Sequence, residues 1–394
     1  MESEDTINDI DFERYFKEFK RSMIGKDDCI FLVNDASNEI RQHYDRNYTG
    51  NTFDGRLFKK MLLSKKSYLN KKNINYEFFV VPDKSIILRN LLPFDTPDPV
   101  RCVDEISDSI TDFIDILDAE DYQYDDTHVS EKSAVKIVSY ILNKLHPKIT
   151  VDEYQNELNA RLSIEEYESF GDLLFPVNWQ YGRDHPVFKK YYASVKQRYV
   201  PMDSTKLIEK ELPPEFNKMG SRESIYYKNN NSISDKKAII LRDSTTDKMI
   251  HVFAAYYHEI IFYWDHYYFD SDLIEYFGPD DVIELRTERF IANPIKGIVK
   301  DDGTFSLLAS TVKINKLELI KPGTLHLWID IPALRIMPLD AQCDILLNDK
   351  RLSTEIFDRS SQTHIHYFLN NYPKDYLSKK LKVSIQIKKL IKRD

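Results

Sequence analysis

Short apolar runs bounded by turn-forming residues recur along the chain: "CIFLV" (29–33), "YEFFVV" (76–81), "AIIL" (238–241), "IIFYW" (260–264) and "DVIEL" (281–285). Their length and their β-branched and aromatic content predict buried strands. Between them apolar residues fall at helical spacing, around Leu57, Met61 and Leu62, at Ala134, Ile137, Val138, Ile141 and Leu145, and at Met249, Val252, Phe253 and Tyr256. Strands alternating with helices predict an α/β fold, a mainly parallel sheet with helices on both faces. From 151 to 231 the pattern breaks into aromatic and proline-rich pieces such as "FPVNWQYGRDHPVF", read as an irregular excursion or lid over the sheet. After Pro294 it changes again: "FSLLAS", "LHLWIDI", "CDILLN", "HIHYFLN" and "LKVSIQIKKL" predict an all-β module, a C-terminal β-sandwich. The expected division is a catalytic domain over 1–295 and the β-domain over 296–394, because 394 residues exceed what one core usually supports.

Composition narrows the function classes. A net charge of -9, with basic residues bunched only in the closing "KKLIKRD", argues against a nucleic-acid binder, which needs a concentrated basic surface. Cys29, Cys102 and Cys343 are widely separated and odd in number, so no disulfide framework or C-x-x-C metal motif is expected. No apolar run reaches the roughly 20 residues that span a bilayer, and the first residues show no secretory h-region. The expectation is a cytoplasmic protein without membrane insertion.

Two stretches carry candidate chemistry. In "AIILRDSTTDKM" a strand ends at Leu241 and a turn presents Arg242, Asp243 and Ser244 before a helix expected near Thr246 or Asp247. A serine there stands at the carboxyl end of a sheet strand, where open α/β sheets bind ligands, beside the free N–H groups of a helix start. The same Asp-Ser pair is also an ordinary helix cap, as read for "FDSDL", where Ser271 is taken as the cap. In "YDDTHVSEKSA", His128 lies just before Ser130, a candidate cap for the helix of Ile137 and Ile141, and Asp126 stands two residues earlier. Asp126 can orient one nitrogen of His128 and leave the other for a serine hydroxyl, but without Ser244 the stretch reads equally as a polar surface turn.

In order, "GKDDCIFLVNDASNEIRQHYD", "YEFFVVPDKSIILRNLLP", "YDDTHVSEKSAVKI", "FGDLLF" and "AIILRDSTTDKMIHVFAAYYHEIIFYWDHYYFDSDLIEYFGPDDVIELRTERFI" resemble the alginate O-acetyltransferase group of SGNH-hydrolase-like proteins over roughly residues 24 to 291. The resemblance implies an SGNH-like (flavodoxin-like) sheet with a circularly rearranged motif order, because the aspartate and histidine precede the serine. It implies Ser244 as nucleophile, His128 as general base and then acid, and Asp126 as the orienting carboxylate. Val129 stands where the group has tryptophan and Asp28-Cys29 where it has Gly-Trp, so different substrate contacts are expected.

The function that follows is transfer of an acetyl group through a serine ester to a sugar hydroxyl of a bacterial surface polysaccharide or its precursor, as in capsule or exopolysaccharide biosynthesis. No tightly bound cofactor and no metal are expected; acetyl-CoA is the candidate donor, a glycan the acceptor and a glycosyltransferase a candidate partner. Oxyanion donors are expected from the Ser244 and Thr245 amides and from the Asn34 side chain. Asp83 and Lys84, in "VVPDKS", and Arg289, in "RTERFI", are candidate substrate contacts, and Trp179 and Tyr181 candidate walls of a glycan groove. Rival readings are an acetyl-esterase, a transferase of a phosphorus-linked substituent, and a glycan-binding scaffold.

Overall fold

The computed structural model describes residues 12, 21–33, 37–48, 53–213, 216, 224–264, 269–292 and 297–303, and the backbones of strands between 305 and 391. A seven-stranded sheet organises the chain. In sequence order its strands are β1 (Asn75–Val81), β2 (Thr111–Asp112), β3 (Leu207–Lys210), β4 (Ile225–Asn229), β5 (Lys237–Arg242), β6 (Glu259–Trp264) and β7 (Asp281–Thr287); in space they run β2-β1-β7-β5-β6-β4-β3. The first five in that order are mutually parallel, while β4 pairs antiparallel with both β6 and β3.

Strand alternation explains the two cores. Ile239 and Leu241 of β5 pack on one face, against Phe58, Met61 and Leu62 of helix α1 (Gly55–Asn70) and Leu273 and Phe277 of helix α5 (Ser271–Phe277). Ala238 and Ile240 point to the other face, against Ile137, Val138 and Ile141 of helix α2 (Lys132–Leu145) and Val252 and Phe253 of helix α4 (Ile250–Tyr256). Because helices cover both faces, β5 and β7 read as nearly continuous apolar runs rather than alternating ones. Among the buried charged residues of β7, Glu284 accepts from Lys65 Nζ at 2.6 Å and Tyr76 Oη at 2.9 Å, so its charge is compensated inside the core.

Several expectations are corrected. "CIFLV" does not join the main sheet: Ile30–Leu32 pairs antiparallel with Ser22–Ile24 in a separate ribbon, since a short apolar run does not reveal which neighbour buries it. The 151–231 region is more regular than expected. It holds the exposed ribbon Leu162–Glu168 with Val195–Pro201, helix α3 (Leu174–Tyr181) and the two antiparallel edge strands β3 and β4. Helix α5 is capped by Asp270, whose side chain accepts from the Leu273 amide at 3.0 Å, and not by Ser271. Ser130 likewise does not cap α2; its hydroxyl lies 2.9 Å from that of Ser133.

Beyond Gly297 the described strands form an antiparallel five-stranded sheet (Gly297–Val299, Phe305–Leu307, Asp340–Leu347, Lys350–Phe357, Val383–Ile391) and an antiparallel three-stranded one (Lys313–Lys321, Thr324–Asp330, His364–Asn370). The side chains that would pack them into a sandwich lie outside the described residues. Among the described residues no helix is long and apolar enough to cross a membrane.

Candidate active site

The carboxyl ends of β1, β2, β5 and β7 share one rim. After β5, Asp243 is fully buried, and its carboxylate accepts from the Thr245 amide at 2.8 Å and from the Thr287 amide, at the end of β7, at 2.7 Å. This bond pair ties two adjacent strand ends together and tightens Ser244–Lys248 into a 3-10 turn; the α-helix starts only at Ile250. Ser244 therefore stands on a turn anchored from beneath.

The segment 123–128 has little regular structure of its own and is held from three sides. Lys84, buried just after β1, donates from Nζ to the carbonyl oxygens of Gln123 at 3.0 Å, Tyr124 at 3.3 Å and Asp126 at 2.7 Å. The Gly171 amide donates to Asp125 Oδ2 at 2.6 Å and the Leu173 amide to the Asp125 carbonyl at 3.2 Å. Between them Asp172 accepts from the Thr127 amide at 2.8 Å and the Thr127 hydroxyl at 2.6 Å. Only glycine fits at 171, because a Cβ there would lie 1.9 Å from the Asp125 carbonyl oxygen.

These constraints bring Asp126, His128 and Ser244 into one relay. His128 Nδ1 donates to Asp126 Oδ1 at 2.6 Å, and the Ser244 hydroxyl donates to His128 Nε2 at 2.7 Å when the ring is neutral. Burial alone would raise the Asp126 carboxyl. The hydrogen bond and charge of His128, then the Lys248 ammonium, outweigh it and hold Asp126 well below the usual carboxylate range. Burial favours the neutral imidazole of His128, but the hydrogen bond to Asp126 and the charges of Asp126 and Asp172 raise it above its ordinary 6.5. Lys196 and Lys248 both lie 4.0 Å from Asp126 Oδ2. Asp126, His128 and Asp172 are also close enough to share a metal ion, within 4.8 Å of one another, although the two ammonium groups beside Asp126 oppose a further cation there.

A cleft of about 550 Å³ opens over His128, walled by Phe170, Phe175, Tyr167, Tyr199 and Tyr227, with Asp172 and Lys248 at its polar edge. It lies between the exposed ribbon, α3 and the start of α4.

The other expected site residues fall elsewhere. Thr245 is not an oxyanion donor: its amide is committed to Asp243 and its hydroxyl to that of Thr287. The Ser244 amide has no hydrogen-bond partner among the described residues. Asn34 lies outside the described residues. Asp83 and Lys84 are buried and saturated by protein partners, Asp83 by Arg289 Nη1 at 2.7 Å and His43 Nε2 at 3.1 Å, and Lys84 by the three carbonyls above, so they shape the site without facing a substrate. Arg289 is buried against Asp83 and Glu39 rather than open to the cleft. Trp179, 67% exposed, and Tyr181, whose ring lies tilted against that of His185, do not line the cleft; Phe170 and Phe175 do. Sequence reasoning missed the clamp of Gly171 and Asp172. Its only signal was the Gly-Asp pair inside an apolar stretch, "FGDLLF", a combination that costs stability unless a turn requires it.

No protein-family model matches the chain, and no curated protein matches it significantly in sequence. Among solved structures the chain is similar to a DHHW family protein from Eubacterium siraeum (15% identity, 61% of this chain and 86% of that one, TM-score 0.43). It is similar to Bacillus cereus PatB1 carrying a sulfonyl adduct (14% identity, 69% and 96%, TM-score 0.45). It is also similar to the O-acetyltransferase domain of Pseudomonas putida AlgJ (11% identity, 69% and 92%, TM-score 0.37).

Proposed function

We propose that this protein transfers an acetyl group, through an ester on Ser244, to a sugar hydroxyl of a surface polysaccharide or its precursor. The observation that carries the reading is the unbroken relay from Asp126 to His128 to Ser244, with bonds of 2.6 and 2.7 Å, beside an open cleft at the carboxyl rim of the sheet. The ordered motif resemblance supplies the acetyl group and the glycan.

In the first half-reaction Ser244 Oγ attacks the donor carbonyl while His128 Nε2 takes its proton. The tetrahedral intermediate collapses, the bond to the leaving group breaks, and His128 returns the proton to that group. Asp126 keeps Nδ1 protonated, fixes the ring and stabilises the transient imidazolium. In the second half an acceptor hydroxyl gives its proton to His128 as its oxygen attacks the ester, and Ser244 leaves and recovers that proton. The oxyanion of each intermediate meets the Ser244 amide, the donor that the turn leaves unpaired.

The test is the intact mass of wild type and Ser244→Ala after brief exposure to p-nitrophenyl acetate and, separately, to acetyl-CoA. A gain of one acetyl group in the wild type alone supports the acyl-serine, and the compound that delivers it identifies the donor class. No adduct from either overturns the reading.

A further inference from the structure

We propose that the acceptor hydroxyl belongs to a glycan without a carboxylate or phosphate beside it, and that Asp172 is the residue that imposes this choice. The inference rests on the acyl-transfer reading for its chemistry, but its charge argument is independent of that reading. The cleft is lined by four acids, Asp126, Glu131, Asp172 and Asp247, against two permanent cations, Arg198 and Lys248. Both cations are already engaged: Lys248 with Glu131 at 2.9 Å, and Arg198 with Glu165 at 3.1 Å. Asp126 is held by His128, and Asp247 pairs with Arg242.

Asp172 differs from these acids. Its side chain is 47% exposed toward the cleft, its oxygens accept only from Thr127, and the single basic group within ion-pair distance among the described residues is His128, at 3.9 Å. An anionic acceptor entering to reach Ser244 would therefore meet the Asp172 carboxylate beside His128 and, among the described residues lining the cleft, only cations already paired with acids. A second cavity of about 540 Å³, across Glu131, repeats the balance: Glu120, Asp125 and Glu166 stand against Lys132 and Lys196, and Lys196 is bonded to Asp125 at 3.1 Å. An uncharged polyol is favoured by the same surface. Its C–H faces match the rings of Phe170, Phe175 and Tyr227, and its hydroxyls can donate to the Asp172 carboxylate.

The experiment measures how much each of two acceptors, methyl glucoside and methyl glucuronide at equal concentration, accelerates turnover of p-nitrophenyl acetate. The same two compounds are titrated by NMR into Ser244→Ala, which reports binding even where acyl transfer fails. In the wild type the neutral sugar is expected to be the better acceptor and ligand by about tenfold or more, the effect of one nearby like charge in a partly screened cleft. Raising the salt should narrow that ratio. Asp172→Asn should also narrow it, because any general damage to the relay falls on both acceptors alike. Glu165→Gln, which releases Arg198 on the exposed ribbon, should shift the ratio in the same direction. Equal response to both sugars, response to neither, or a ratio unchanged in Asp172→Asn would overturn the proposal. Absence of an acyl adduct alongside a retained binding preference would instead remove only the acyl-transfer reading.

Discussion

Among the described residues two histidine–aspartate pairs stand at the same rim of the sheet, and only one of them leaves a ring nitrogen for a hydroxyl. His43 and Asp83 are sealed, with side chains 2% and 0% exposed. Nε2 of His43 faces Asp83 at 3.1 Å and Nδ1 faces the Val100 carbonyl at 3.2 Å. Two acceptors require both nitrogens to donate, so this ring is an imidazolium; the Asp83 hydrogen bond and the charges of Glu288, Asp83 and Glu39 outweigh burial and push it up to about 9. His128 has a carboxylate on one nitrogen only. Its other nitrogen meets a hydroxyl at the edge of a cleft, a group that can donate to the neutral ring or accept from the charged one, so this ring is free to change protonation state. A histidine–aspartate pair is therefore defined as structural or reactive by what the second nitrogen touches.

The sharpest way to break this comparison is to remove each histidine. His128→Gln should lower acyl-transfer kcat by about a thousandfold or more and cost less stability than the same change at His43, since Asp126 keeps the Lys196 and Lys248 ammonium groups nearby. His43→Gln should do the reverse: the variant leaves Asp83, Glu39 and Glu288 short of one positive charge and should cost roughly 3 to 5 kcal/mol in urea unfolding. Equal kinetic losses in both would refute the division.

Next in size is Gly171→Ala. The added carbon would meet the Asp125 carbonyl, so the loop carrying Asp126 and His128 must shift; kcat should fall by about a hundredfold, since small misplacement of a reacting group is that costly. Near-normal kcat would show that the clamp does not position the relay.

The pH profiles should move in opposite directions. Acyl transfer needs neutral His128, so activity should rise with pH through a limb above 6.5, and Asp126→Asn, which removes the leading cause that raises the ring, should shift the limb down. The sealed cluster acts on stability. His43, raised to about 9, stabilises fully below 6.5, and that contribution is lost as pH rises through 9. Burial raises Glu39 and Glu288 to about 7 despite their cationic neighbours, which penalises their ionised forms and adds to the loss between 4.5 and 7. Unfolding free energy from this cluster should therefore fall over the range in which activity climbs. The smallest expected effect is Trp179→Ala, within about 0.5 kcal/mol in stability and without change in kcat, because the ring is exposed and off the cleft.

Ser244, His128 and Asp126 were singled out through the ordered motif resemblance; the local pattern by itself reads the turn at Ser244 also as a helix cap and the one at His128 also as a polar surface turn. Asp172, 44 residues beyond His128 by chain position, carries no such pattern, and Thr245 looked like an oxyanion donor until Asp243 was seen to bond its amide. "VVPDKS" illustrates the same limit: the sequence shows charges after a strand, and only the fold shows that Asp83 and Lys84 are turned inward onto Arg289 and three carbonyls.

The sequence by itself determined the alternation of strands and helices, the apolar runs of β1, β5, β6 and β7, and the polar turns around Asp126, His128 and Ser244, because backbone period and turn chemistry act over a few residues. The tertiary structure alone decided that β3 and β4 close the sheet edge, which histidine is sealed, and which side chains wall the cleft. These depend on contacts between residues far apart in sequence, where a buried charge is tolerated only beside partners that the rest of the fold delivers.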